Sequence, residues 1–274
     1  MNRKAKHALH SRPHRNRIKS ILTTVAILIL LMAIITVVWY VVKRFPKKAH
    51  TDTTTSTTVA TTVPTTTTTA PKLAYKIENF TAFNQRPELP TGCEITALTM
   101  VLQHKGFSVD KVTMANTYLP RATAKFTTGA DGKRYGPDME NYFVGNPTNN
   151  SGYICGTGAI VSAANKYLET TDSTLRAHAE NGIDLQKLYA YIANDNPVII
   201  WCTIGMENRW KTQGWYREDG TFMEWSQNDH GGVLIGYTET TITYADPIVG
   251  VKEIDRAQFE KVFASRGNQC VIIE

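Results

Sequence analysis

Hydrophobic and polar positions divide this chain into three regimes. Ile21 to Val42, ILTTVAILILLMAIITVVWYVV, is a run of 22 residues without a charge, long enough to cross a bilayer as one helix. Residues 51–71 hold 13 threonines among 21 positions and a single charge. With no apolar face to bury, that stretch predicts an extended, disordered tether. From residue 73 onward apolar residues recur at helix and strand spacing, which predicts a folded domain of roughly 200 residues, ample for a core of its own. The expected organisation is a basic tail over 1–20, a transmembrane signal anchor over 21–42, a Thr-rich linker over 43–72 and a domain over 73–274.

Within the domain, CEITALTMVLQHK places Ile95, Leu98, Val101 and Leu102 at helical spacing, and Gly106 ends the run. Residues 107–150 are rich in Gly, Pro, Asn and Thr, and predict mostly loop crossing one face of a cleft. A second helix is expected after Gly156-Thr157-Gly158, and a third in DLQKLYAYIANDN before Pro197. VIIWCTI reads as a buried strand. Trp210, Trp215, Tyr216, Phe222 and Trp225 surround Glu218-Asp219-Gly220-Thr221, the pattern of a β-hairpin. HGGVLIGYTETTITYADP gives two strands about a short turn, then DRAQFEKVFASRG and CVIIE a closing helix and strand. One early helical region before a strand-rich half indicates an α+β fold.

Charge follows the same division. The chain carries +6 overall, yet from Leu73 onward it holds 18 of the 30 basic and 23 of the 24 acidic residues, a net of −5. The basic balance therefore belongs to the N-terminal flanks, and gives no reason to expect nucleic-acid binding by the domain. Seven Lys and Arg precede the apolar run and four follow it closely. This asymmetry predicts a cytoplasmic N-terminus and an extracellular domain, with Trp39 and Tyr40 at the outer interface. No small-x-small cleavage site closes the run, so an uncleaved single-pass anchor is expected.

Cys93 opens the first helix of the domain. Unpaired N–H groups and the positive end of the helix dipole favour an anion there, which predicts a lowered thiol pKa and a nucleophilic thiolate. The plainer alternative is a buried cysteine closing that turn against a core. Of the domain's histidines, His104 lies late in the same helix, His178 sits in a polar segment, and His230 begins a strand before Gly231-Gly232, which allow close approach by another chain. His230 is the candidate base. Asp246 ends the next strand across a hairpin and can orient the imidazole, whereas Asp229 is disfavoured because consecutive strand residues face opposite ways. Gln85 and the Cys93 N–H are candidate oxyanion donors. Cys155 is a rival nucleophile on local grounds, and a disulfide among Cys155, Cys202 and Cys270 would leave one of them over. No CxxC or clustered Cys/His spacing supports zinc, so neither metal nor cofactor is expected.

The segments FNQRPELPTGCEITALTMVLQHKG, DHGGVLIGY and TYADP resemble the papain-like cysteine peptidases of family thirty-nine, in particular the C39-like extracellular domains of Gram-positive bacteria. The resemblance covers nearly all of 73–274. It implies a papain-like fold, with an N-terminal catalytic helix and an antiparallel sheet, and the roles of nucleophile for Cys93, base for His230, orienting acid for Asp246 and oxyanion donor for Gln85. Glu94 stands where many papain-type enzymes have glycine. The implied activity is hydrolysis of a peptide or isopeptide bond through a Cys93 thioester. Alternatives are a peptidoglycan-directed amidopeptidase using the same chemistry, and an inert papain-like module binding wall or peptide ligands. The expected partners are a peptide or cell-wall substrate and the membrane held by the chain's own N-terminal helix.

Overall fold

In the computed structural model, the described residues are Met32, 72–211 and 213–274. The expected span Ile21–Val42, apart from Met32, and the tether up to residue 71 lie outside them. Among the described residues no helix is long and apolar enough to cross a membrane.

Seven strands form one antiparallel sheet: β1 (Tyr75–Lys76), β2 (Ala177–Glu180), β3 (Val198–Thr203), β4 (Asp229–Tyr237), β5 (Thr241–Asp246), β6 (Gly250–Asp255) and β7 (Cys270–Ile273). Their order is β6-β5-β4-β3-β7-β2, with β1 also paired to β4. Every residue of β3, β4 and β7 is buried, as continuous apolar runs require at the centre of a sheet. Helices α1 (Cys93–His104), α2 (Thr157–Leu168), α3 (Leu185–Ala193) and α4 (Arg256–Ser265) complete the frame. The α+β expectation and the antiparallel sheet hold.

Helix α1 is buried from Cys93 through Leu102, so it is a core helix rather than a surface one. Its inward threonines hydrogen-bond backward within the helix, Thr96 Oγ1 to the Gly92 carbonyl and Thr99 Oγ1 to that of Ile95, both at 2.7 Å, which removes the cost of burying two hydroxyls. The helix ends at Gly106, whose φ of 90° suits glycine, with Gly106 N–H donating to the Gln103 carbonyl and Phe107 N–H to that of Leu102. At the other end Gly92 is tightly enclosed: a Cβ there would lie 2.9 Å from Leu89 Cβ and 3.2 Å from Pro147 Cβ. Asp184 caps α3, accepting from Gln186 N–H at 2.8 Å, and Asp255 caps α4, accepting from Gln258 N–H at 2.8 Å.

The structure departs from the pattern-based reading in three places. Residues 107–150 are not mostly loop at their start: Lys111–Thr113 and Met114–Tyr118 are helical, begun by Asp110, which accepts from the N–H groups of Val112 and Thr113. Strands β2 and β6 lack regular alternation and lie at the two ends of the sheet. The aromatic hairpin is present as Gln213–Tyr216 and Phe222–Trp225, but it belongs to a separate four-stranded sheet with Thr127–Thr128 and Arg134–Tyr135.

A buried ion cluster ties this sheet to the main one. The Asp229 carboxylate accepts from Arg209 Nε at 2.8 Å, from Ser226 N–H at 2.9 Å and from Arg266 Nη1 at 3.0 Å, and Arg209 also reaches Glu224 at 2.7 Å. Truncating Asp229 leaves Arg266 buried without its anion. The Asp229→Ala variant is expected to lose ~3–5 kcal/mol, measured by guanidinium unfolding of the full-length chain followed through tryptophan fluorescence; a loss below about 1 kcal/mol would show that the cluster is not a structural anchor.

Candidate active site

Three of the four sequence-predicted site residues, Cys93, His230 and Gln85, line one cleft of about 480 Å³, and the fourth, Asp246, stands behind His230. Cys93 arrives there as the first residue of α1, and His230 as the second residue of β4. Other walls come from Arg86, Ser151, Tyr153, Ile204, Trp225 and Ile248. Trp225 packs tilted against Tyr153 with ring centroids 4.9 Å apart, so the hairpin aromatics serve both packing and the cleft: Trp215 is fully buried against Phe126, while Trp225 faces the opening.

Strand register brings His230 and Asp246 together. Val233 pairs with Ala245, which sets Asp246 level with Gly232, two residues from His230 and on the same face. His230 Nε2 lies 3.1 Å from Asp246 Oδ1. The carboxylate is held in turn by the Tyr244 hydroxyl at 2.9 Å and the Ile248 N–H at 2.7 Å. With Nε2 committed to Asp246, Nδ1 is the ring nitrogen left for proton exchange with a reacting group. Burial alone would raise the Asp246 pKa, but the hydrogen bond and charge of His230, with the Ile248 and Tyr244 donors, outweigh it and hold the carboxyl below its ordinary value. Asp229 is absorbed by the arginine cluster, as alternation along the strand implies.

The other described histidines stand apart. His104 packs against Phe80, with ring centroids 5.1 Å apart, and His178, on β2, lies 3.7 Å from Glu274. All four cysteines are free and buried.

Two expectations about the site need correction. The Gln85 side chain is nearly enclosed, and its Nε2 donates to the Leu89 carbonyl at 3.0 Å and the Pro90 carbonyl at 2.9 Å. Turning the amide over would set Oε1 against two carbonyl oxygens. Both of its N–H groups are therefore spent on the turn that leads into Cys93, and Gln85 shapes that turn instead of offering a donor to an oxyanion. The Cys93 N–H, at the first helical position, has no partner within the helix and remains the donor on hand.

The second correction concerns the thiol. The helix N-terminus predicts a lowered pKa, yet burial pushes the Cys93 thiol well above its ordinary value, and the neighbouring Glu94 carboxyl adds to the rise. A hydrogen bond from the Gly231 N–H to the sulfur pulls the other way without prevailing. Glu94 is noted in the sequence only as standing in place of glycine, with no role assigned to it. It is fully buried, with Oε2 3.3 Å from Cys93 Sγ and Oε1 accepting from Cys155 N–H at 3.3 Å. The available signal was a carboxyl in the first turn of a helix otherwise destined for the core.

Residues 77–271 match the Peptidase_C39 like family. The chain belongs to that family. It is 30% identical over 190 residues to the Bacillus subtilis (strain 168) protein YvpB, itself uncharacterized, across 69% of this chain and 71% of that one. A crystal structure of a candidate C39-like peptidase from Bacillus anthracis is similar in fold, with a TM-score of 0.64 and 27% identity over 73% of this chain and 97% of the other. The C39-like architecture thus accounts for the early helix and the antiparallel sheet together.

The Asp246 carboxylate, having a depressed folded pKa, contributes stability that is complete above its unfolded value near 4 and is lost as pH falls through the folded value. Unfolding midpoints measured from pH 6 down to pH 2 should therefore fall more steeply for the wild type than for Asp246→Asn; parallel curves would remove the His230–Asp246 pair as an acid-sensitive element.

Proposed function

We propose that this protein is a cysteine peptidase, anchored in the cell membrane with its domain outside, that hydrolyses a peptide or isopeptide bond through a Cys93 thioester. The observation that carries this reading is one cleft lined by a cysteine at the start of a buried helix and by a histidine whose far nitrogen is fixed on a buried aspartate. The chemistry follows from those positions. The Sγ proton passes to His230 Nδ1, the sulfur bonds to the substrate carbonyl carbon, and the π electron pair moves to oxygen beside the Cys93 N–H. Collapse of that adduct breaks the C–N bond, and the imidazolium returns its proton to the leaving amine. Water, deprotonated by the same imidazole, then displaces the sulfur and frees the acid. Asp246 keeps one tautomer and orientation of the ring throughout.

The uncharged run Ile21–Val42 and the basic residues ahead of it support the outward orientation, and the Thr-rich linker supports a domain held away from the bilayer. A peptide or wall-peptide substrate suits that location. Trypsin added to intact cells should release the C-terminal domain, whereas protection until lysis would place the domain inside.

The full-length protein in detergent, incubated with quenched fluorescent peptide libraries and with purified wall peptides, should liberate new amino groups. Cys93→Ala and His230→Ala should each lower kcat/KM by ~10³-fold or more. Cleavage that survives in Cys93→Ala would sink the mechanism. A folded wild type that binds wall peptides and cuts none would instead mark an inert binding module.

A further inference from the structure

Glu94 is a carboxyl buried completely, yet among the described residues no cation is hydrogen-bonded to it. Its surroundings are Cys93 on its own helix, the Cys155 N–H and thiol from the loop before α2, His230 and Gly231 from β4, Cys202 from β3, and Arg266 beyond α4, which acts only at longer range. Among the described residues two groups hydrogen-bond its side-chain oxygens, each at 3.3 Å, the Cys155 N–H and the Cys93 sulfur, and its own backbone N–H also favours the anion without outweighing burial. An ionised carboxylate has about four acceptor positions and is costly to bury without a paired charge. The neutral acid is cheaper to bury, but its O–H then needs an acceptor, and the group within reach is Cys93 Sγ.

We infer that Glu94 is a positioning residue for the nucleophile: its carboxyl and the Cys93 sulfur share one negative charge, so the thiolate exists only while Glu94 is protonated. In that state the thiol proton has gone to His230 Nδ1 and the Glu94 O–H donates to the sulfur anion. When Glu94 ionises, the thiol keeps its proton and donates it to the carboxylate, and the nucleophile is lost. The strand packing enforces the pairing. A Cβ at Gly231 would come within 3.0 Å of Glu94 Cγ and 3.1 Å of its Cα, so β4 lies directly on the first helical turn and leaves the carboxyl little room to turn from the sulfur. Burial raises the carboxyl above its ordinary value, in keeping with a neutral form that persists beyond the usual carboxylate range.

This role rests on the cysteine-peptidase reading, and alkylation separates the two because it needs no substrate. The full-length chain is treated with iodoacetamide across pH and modification of Cys93 is followed by mass spectrometry, for wild type and Glu94→Gln. The amide still offers an N–H to the sulfur and cannot ionise. Its alkylation midpoint is expected at least about one pH unit below that of the wild type, equal to about a tenfold faster reaction at a fixed pH below both midpoints. Coincident profiles, or slower alkylation of a folded Glu94→Gln at every pH, would overturn the inference. If Glu94→Gln does not fold, isotope-edited infrared spectra of the wild type with labelled glutamate decide it. One glutamic acid should stay protonated at a pH where the exposed glutamates have ionised, and its absence would overturn the inference equally. Hydrolysis that survives with no such coupling removes only the role of Glu94; coupling without hydrolysis removes only the peptidase reading.

Discussion

The contact between β4 and the first turn of α1 is the constraint from which the rest of the site follows. Gly231 has no side chain to hold the strand away, and a Cβ there would lie 3.0 Å from Glu94 Cγ and 3.1 Å from its Cα, tighter than ordinary contact. Close approach at this point sets where the N-terminus of α1 points, and so where Cys93 lies relative to the strand that carries His230. The Gly231 N–H also favours the sulfur's anion, though burial outweighs it. One backbone contact thus joins packing, placement of the candidate nucleophile and its proton chemistry. The enclosed Gly92 serves the same end from the other side, because it lets Leu89 and Pro147 crowd the entry to the helix.

Period-two alternation then separates two kinds of carboxylate chemistry on neighbouring residues. Asp229 turns to Arg209 and Arg266 and is neutralised there, binding the smaller sheet to the main one. His230 turns to Asp246, where the partner charge is kept for the imidazole. Had the register of β4 and β5 slipped by one residue, Asp246 would have faced away from His230. The full burial of β3 and β4 is what makes such a slip expensive, since it would also turn apolar side chains out of the core.

Much of this could be read from residue pattern. Helix α1 and the β4–β5 hairpin each follow from spacing that a single local rule interprets, while the grouping of Cys93 with His230 and Asp246 is implied by the family resemblance. What escaped depends on contacts between distant segments. The outer strands β2 and β6 carry no clean alternation because only part of each is covered. The helical start of the 107–118 segment rests on one aspartate cap in a composition that reads as loop. Gln85 borders the cleft, but the Leu89 and Pro90 carbonyls that consume its N–H groups are a matter of turn geometry, and no spacing rule reports that.

The protonation of Cys93 shows why position within an element is not enough to assign reactivity. A helix N-terminus is worth at most about 2 kcal/mol in favour of an anion. Removing a charge from water into a protein interior costs several kcal/mol per ion even after relaxation, and Cys93, although it borders the cleft, is 8 % exposed and set beside a carboxyl. The dipole therefore loses to burial unless a further proton donor or a cation stands against the sulfur. His230 can supply a cation by accepting the thiol proton, and Glu94 can supply a donor only in its acid form. A thiolate at this site is thus a property of three residues taken together: the helix gives the sulfur its direction, and its charge depends on the groups that β4 presses against the first turn.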